Sequence, residues 1–373
     1  MNMSRIDTPF PLYWGGASLR SIAVAALWVL LAFSWPSAHA QVEGLRGTLI
    51  VLNKGEATVS LFDLGSLKEA ARVPVGAGPH EVAVSPDGAL AVVANYGQRE
   101  PGDTLSVIDV AAARVLRTIA LRDGGSRPLQ RPHGLRYLDA RRVVVTAEAQ
   151  RAIAIVDVPA GRVTRTLPTE QSVSHMVATG ADGRWAYVAN IGAGTVTRVD
   201  LLGELPLLHV PTGKGAEGVA LAPDSRTLWV SNREADTVTV LSAPDLSRQG
   251  EISAPGFPIR VAFTPDGKRA LVTAPRADAL HVYSVATRTL ERTIPLPSGP
   301  VRTEGRLLGA MFGQSSVPIG VVSDPTGRYA LVAQSHADQV AIVDIGSGRR
   351  VATLPTGIEP DGLGWSVVGV RGR

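Results

Sequence analysis

Residues Gly78–Gly97 read GPHEVAVSPDGALAVVANYG. Ser85-Pro86-Asp87-Gly88 is turn chemistry: Pro presets φ, and Asp-Gly accepts positive φ. Short runs of small and β-branched residues flank it, so the stretch reads as two strands joined by a tight turn. It recurs. RPHGLRYLDARRVVVTAEA starts at Arg131, VSHMVATGADGRWAYVAN at Val173 and AEGVALAPDSRTLWVSN at Ala216. FPIRVAFTPDGKRALVTA starts at Phe257, VPIGVVSDPTGRYALVAQ at Val317 and the fragment PDGLGW at Pro360. Aligned after the Pro or its substitute, the copies place His80, His133, His175, Glu217, Ile259, Ile319 and Asp361 in one position, at spacings of 53, 42, 42, 42, 60 and 42.

Each unit has room for four short strands, here named A to D. In the first full copy these are His80–Val84, Ala89–Ala94, Thr104–Ile108 and Val115–Leu121. They are apolar on both faces, as strands sandwiched between neighbouring sheets should be. Asp63, Asp109, Asp157, Asp200 and Asp344 end strand C, with Ser242 and Ser284 as substitutes; a short polar side chain there can fix the next turn. A four-stranded unit of about 40–45 residues, repeated, is the signature of a β-propeller. The expected fold is therefore all-β: a seven-bladed β-propeller with four antiparallel strands per blade. The first blade lacks a strand A before Leu49, and the last strand A, at Pro360–Ser366, has nothing after it. The two fragments complete one blade shared between the N- and C-terminal strands.

The segments WAYVANIGAGTVTRVDL from Trp185, LWVSNREADTVTVLS from Leu228 and AVVANYG from Ala91 resemble the YVTN-type β-propeller repeat family, a relative of the WD40-like propellers. Asn53, Asn95, Asn190 and Asn232 occupy the motif's Asn, and Glu148, Pro275 and Gln334 stand there in the other blades. The resemblance implies a secreted or envelope-associated propeller and leaves the activity open.

Residues 1–40 read as a secretory signal peptide: Arg5 and Arg20, an apolar run from Ile22 to Trp35, and an Ala38-His39-Ala40 cleavage site before Gln41. The mature chain, 41–373, is expected to be one propeller domain, periplasmic or secreted, with no transmembrane span. The chain has no Cys, so disulfides, Fe–S clusters and a c-type haem attached by thioethers are set aside. The net charge of +4 is spread without a basic run and carries no nucleic-acid signal.

In such a propeller strand A lines the channel, and the D–A and B–C connections share one face. The longest irregularities, Gly124–Gln130, Ser298–Val317 and Gln98–Asp103, all fall on that face, where binding loops belong. The aligned positions ring its channel mouth, so His80, His133, His175, Glu217 and Asp361 form the candidate ligand site. The histidines admit three readings. They are structural caps within their own blades, or they bind a small molecule or protein partner at the mouth. In the third, His80, His133 and His175 hold a metal, with imidazole and carboxylate donors suiting Zn or Cu. No nucleophile–base motif is present, which favours a binding or scaffold protein over an enzyme. The alternatives are a metal-dependent or lactonase-like hydrolase and an accessory subunit of a periplasmic oxidation system.

Overall fold

The structure, a computed structural model, describes residues 42–371. The expected signal peptide and its cleavage site lie outside the described residues. Among them are seven four-stranded antiparallel sheets, each running A to D outward from a common axis. The A strands are Pro360–Ser366, Pro79–Val84, Pro132–Tyr137, Ser174–Thr179, Ala216–Leu221, Val261–Phe263 and Pro318–Ser323, in blades 1 to 7. Each contacts the next, and the last contacts the first, so the ring is closed. No helix among the described residues is long and apolar enough to cross a membrane.

Blade 1 is the shared one. Its strand B, Thr48–Asn53, pairs with the C-terminal strand A through Thr48–Ser366, Ile50–Gly364 and Val51–Leu363. Strands A to C are largely buried between neighbouring sheets, while the D strands, such as Lys68–Pro74, face solvent. The terminal Asp of strand C fixes the following turn. Asp63, Asp109, Asp157, Asp200 and Asp344 each accept a hydrogen bond from a backbone N–H two or three residues on.

The end of strand B has two solutions. In blades 1, 2, 4 and 5, the buried Asn53, Asn95, Asn190 and Asn232 each donate to two hydroxyls on strand C: Thr58 and Ser60, Thr104 and Ser106, Thr195 and Thr197, Thr237 and Thr239. In blades 3, 6 and 7 the rung begins instead with Ala147, Ala274 and Gln334, and a single 3-10 turn follows. Glu148 and Pro275 are therefore not the counterparts of the motif Asn; they stand one residue beyond it. A shift by one residue turns a side chain to the other side of the strand, and for Glu148 that side faces the axis.

Candidate functional site

The residue two places before each ring position has positive φ: Gly78, Arg131, Val173, Gly215, Phe257, Val317 and Glu359. Five of these carry a side chain, and left-handed backbone costs such residues roughly 1–2 kcal/mol. The return is directional. In six blades the carbonyl of this residue accepts the N–H of the residue after strand B, from Lys54, Tyr96, Glu148, Ile191, Arg233 or Ser335. Two rings of side chains are thereby tied together at one end of the channel: the ring read from the repeats, and a second ring following strand B.

The first ring brings its polar members together. His133 packs between His80 and His175, with ring centroids 4.0 and 3.5 Å away. Bonding runs between blades. The Lys54 ammonium lies 2.8 Å from His80 Nε2 and donates to Asp361 Oδ2 at 3.1 Å. Asp361 Oδ2 is also 2.8 Å from His80 Nδ1, outside hydrogen-bond geometry. His175 Nδ1 meets Glu148, whose other oxygen accepts from the Tyr96 hydroxyl at 2.8 Å. His175 Nε2 is 3.6 Å from Glu217. His133 is fully buried, and neither of its nitrogens has a partner.

The repeat alignment did not single out Lys54, Tyr96, Glu148 or Arg233 for this site. All four occupy the same place, the first residue after the strand B rung, so a second alignment column would have found them.

Below the histidines the A strands pack closely and an ion pair spans the channel. Gly134, Gly218, Gly320 and Gly362 follow ring residues, and a Cβ on any of them would stand within 2.6 Å of a neighbouring A strand's carbonyl oxygen. Only glycine allows that approach. The other blades carry Glu81, Met176 and Arg260 at this level. Arg260 crosses the channel to Glu81, at 2.7 Å from Nη2, and reaches Glu217 at 3.3 Å. Glu217 also accepts from Arg233 at 2.6 Å. Beneath this layer the channel opens to the A–B turn face as a cavity of about 620 Å³.

Ile259 and Ile319 complete the ring as an apolar sector. Phe257, Val317 and Phe312 pack on them, the last from the 298–317 insertion. That insertion is anchored: Arg306 forks onto Asp338, the Leu307 N–H reaches Glu359, and Ser316 bonds Asp278. Leu307 and Met311 remain exposed.

The charges are interlocked. Burial opposes ionisation of Glu217, but His175, Arg233 and Arg260 outweigh it and bring its pKa down to about 2. Burial likewise opposes ionisation of Asp361, yet His80 and Lys54 hold it below the usual carboxylate range. Burial also disfavours charge on His175, but Glu148 and Glu217 raise its pKa. His80 is lowered by burial and by Lys54. His133 is lowered furthest, by burial and then by its two histidine neighbours. The arrangement holds a neutral imidazole between two imidazoles that are themselves tied to carboxylates.

Fold and axis together define a seven-bladed β-propeller with a buried polar plug at one end of its channel. The chain belongs to the cytochrome D1 heme domain family, which it matches over residues 139–366. It is 29% identical over 149 residues to the seven-bladed beta-propeller protein Rv1057 of Mycobacterium tuberculosis; the match spans 40% of this chain and 36% of that protein. Among solved structures, a functionally unknown protein from Desulfotomaculum acetoxidans superposes with a TM-score of 0.68 at 14% identity, covering 86% of this chain and 99% of that one. Hydrazine synthase of Kuenenia stuttgartiensis superposes with a TM-score of 0.61 at 17% identity, covering 76% and 88%. At such identities these two likenesses show the fold alone.

The family corrects the cofactor expectation. Absence of Cys excludes only thioether attachment, and a haem held without covalent bonds needs none. The family's description points to haem, so the expectation that set haem aside, with Zn or Cu in its place, is withdrawn. The cluster's own residues, however, do not fit that group. An iron ligand needs a nitrogen facing a space that a flat macrocycle can enter. Here the imidazoles pack directly on one another, His133 edge-on to His80 and tilted on His175, both nitrogens of His175 face carboxylates, and the Arg260–Glu81 pair lies below. The family match also begins after His80 and His133.

Proposed function

We propose that this chain is a periplasmic binding propeller whose ligand site is the buried cluster of His80, His133, His175, Glu217 and Asp361. One observation carries the reading. His133 is 0% exposed and both ring nitrogens lack partners, although an unsatisfied buried polar group costs about 1–3 kcal/mol. Asp361 Oδ1, on the far side of His80, is also unpartnered. A neutral imidazole offers one donor and one acceptor, so the complementary ligand is a small polar molecule carrying both. Entry requires displacement of the residues over the cluster, Tyr96 and Lys54 first. The family's description supports a setting in haem or redox chemistry, and the YVTN-like repeats support the cell envelope.

The test uses the histidine side-chain NMR resonances of the mature protein, titrated with formamide, imidazole and hydroxylamine as probes, and separately with hemin followed by its visible absorbance. Saturable shifts of the His133 resonances by a small probe, lost in His133→Phe, are expected. If no probe moves those resonances, the site assignment fails. If only hemin saturates, the ligand is the family's cofactor rather than a small polar molecule.

A further inference from the structure

The cavity on the A–B turn face is separate from the histidine cluster, since the Arg260–Glu81 pair and the close-packed glycines lie between them. Its wall is mixed: Val82, Met176, Val219, Phe263 and Leu363 are among the lining residues, with Glu81 and Arg260 at its inner end. Arg136 stands in that wall. Every other cation of the central column has a carboxylate. Arg260 has Glu81 and Glu217, Arg233 has Glu217, Lys54 has Asp361 and His175 has Glu148. Among the described residues Arg136 has none within ion-pair distance, and its one side-chain hydrogen bond runs to the carbonyl of its neighbour Leu135. Burial works against the charge of its guanidinium, and Glu81, engaged with Arg260, offsets that only in part.

We propose that this cavity binds a small organic anion, a carboxylate on an apolar body, with Arg136 as the carboxylate's partner. Three features set the class. The guanidinium fork matches a carboxylate in two parallel hydrogen bonds. The apolar side chains of the wall, Val82, Val219, Phe263 and Leu363 among them, give a hydrocarbon or aromatic body a surface to cover that a fully hydrated anion such as phosphate would not use. At about 620 Å³ the cavity lies within the roughly 300–1,000 Å³ usual for small-molecule sites.

Calorimetric titration of the mature protein with phenylacetate, neutral phenylacetamide and inorganic phosphate tests this. Phenylacetate is expected to bind saturably, with the other two weaker by roughly tenfold or more, the worth of one charge-assisted hydrogen bond. Arg136→Met should lose phenylacetate by a similar factor while melting no lower than the wild type, because it removes a cation that has no ion-pair partner. Arg136→Lys keeps the charge but not the fork, and should bind several-fold more weakly than wild type; it serves if the Met variant does not fold. The proposal is overturned if wild type does not bind phenylacetate, if phenylacetamide or phosphate binds as tightly, or if the variants bind as wild type does.

Discussion

The three imidazoles of the cluster are identical groups held in different protonation states by what touches them. His80 and His133 are held neutral, with pKa values below the usual value of about 6.5. As pH falls through 6.5 the unfolded chain takes up protons that these two refuse. The stability they contribute is therefore present above about pH 6.5 and lost as pH falls toward their folded values. His175 has the opposite sign: its raised pKa contributes stability that is full below 6.5 and lost as pH rises through the folded value. The carboxylates of Glu217 and Asp361 enter only below their own ordinary range near 4. Between pH 7 and 5.5 the melting temperature should fall, because His281 and His336 are lowered by burial as well, and the lowered histidines outnumber the one that is raised. His133→Phe keeps a ring in the same space without a titrating nitrogen, and should make that limb shallower, with His80, His281 and His336 carrying what remains. A melting profile for this variant that declines as steeply as the wild type would show that His133 takes up its proton freely.

Within one blade, the Asn at the end of strand B recurs in four blades with the same pair of hydroxyl partners. Asn232 donates to Thr237 and Thr239 at 3.0 and 2.9 Å, and it sits where a Cβ on Gly213 would strike it. Asn232→Ala would leave two threonine hydroxyls short of a partner and a void beneath the preceding loop. A loss of about 1–3 kcal/mol in urea denaturation is expected; a loss under about 0.5 kcal/mol would mean that the rung stands without it. This element also marks how far the sequence could be read. Turn chemistry and the 42-residue spacing are local and repeat in register, so blade number, strand order and the first ring of side chains were legible. Glu148 was not, because the motif column slips by one residue where Ala147 replaces Asn and the turn tightens. Lys54–Asp361 and Arg260–Glu81 join residues 307 and 179 apart. The first closes blade 1 between the two ends of the chain and the second crosses the axis; no repeat spacing encodes the contact across the axis, nor the pairing of His175 with Glu148 and Glu217 that raises its pKa.

Closure joins fold and site in the whole ring. The C-terminal strand Pro360–Ser366 is the inner strand of blade 1, and it also delivers Asp361 to the axis and Gly362 to the close-packed layer beneath. Its tail is fastened beyond the strand: the Thr48 hydroxyl donates to Val368 and the Ser366 hydroxyl to Gly88 in blade 2. With no cysteine in the chain, this non-covalent seam alone closes the ring. Deleting Pro360–Arg373 would expose the inner edge of Thr48–Asn53 and open a gap between blades 7 and 2, leaving unpaired strand edges. It would also strip Lys54 and His80 of their shared carboxylate. Asp361→Asn separates the two effects, since it removes the charge and leaves the strand. The truncated protein should melt far below the wild type and aggregate on heating, with Asp361→Asn falling between them. A truncated chain that melts with the wild type would mean that the seam does not hold the ring. If Asp361→Asn alone reproduces the full loss, the buried charge rather than the strand pairing is what secures the closure.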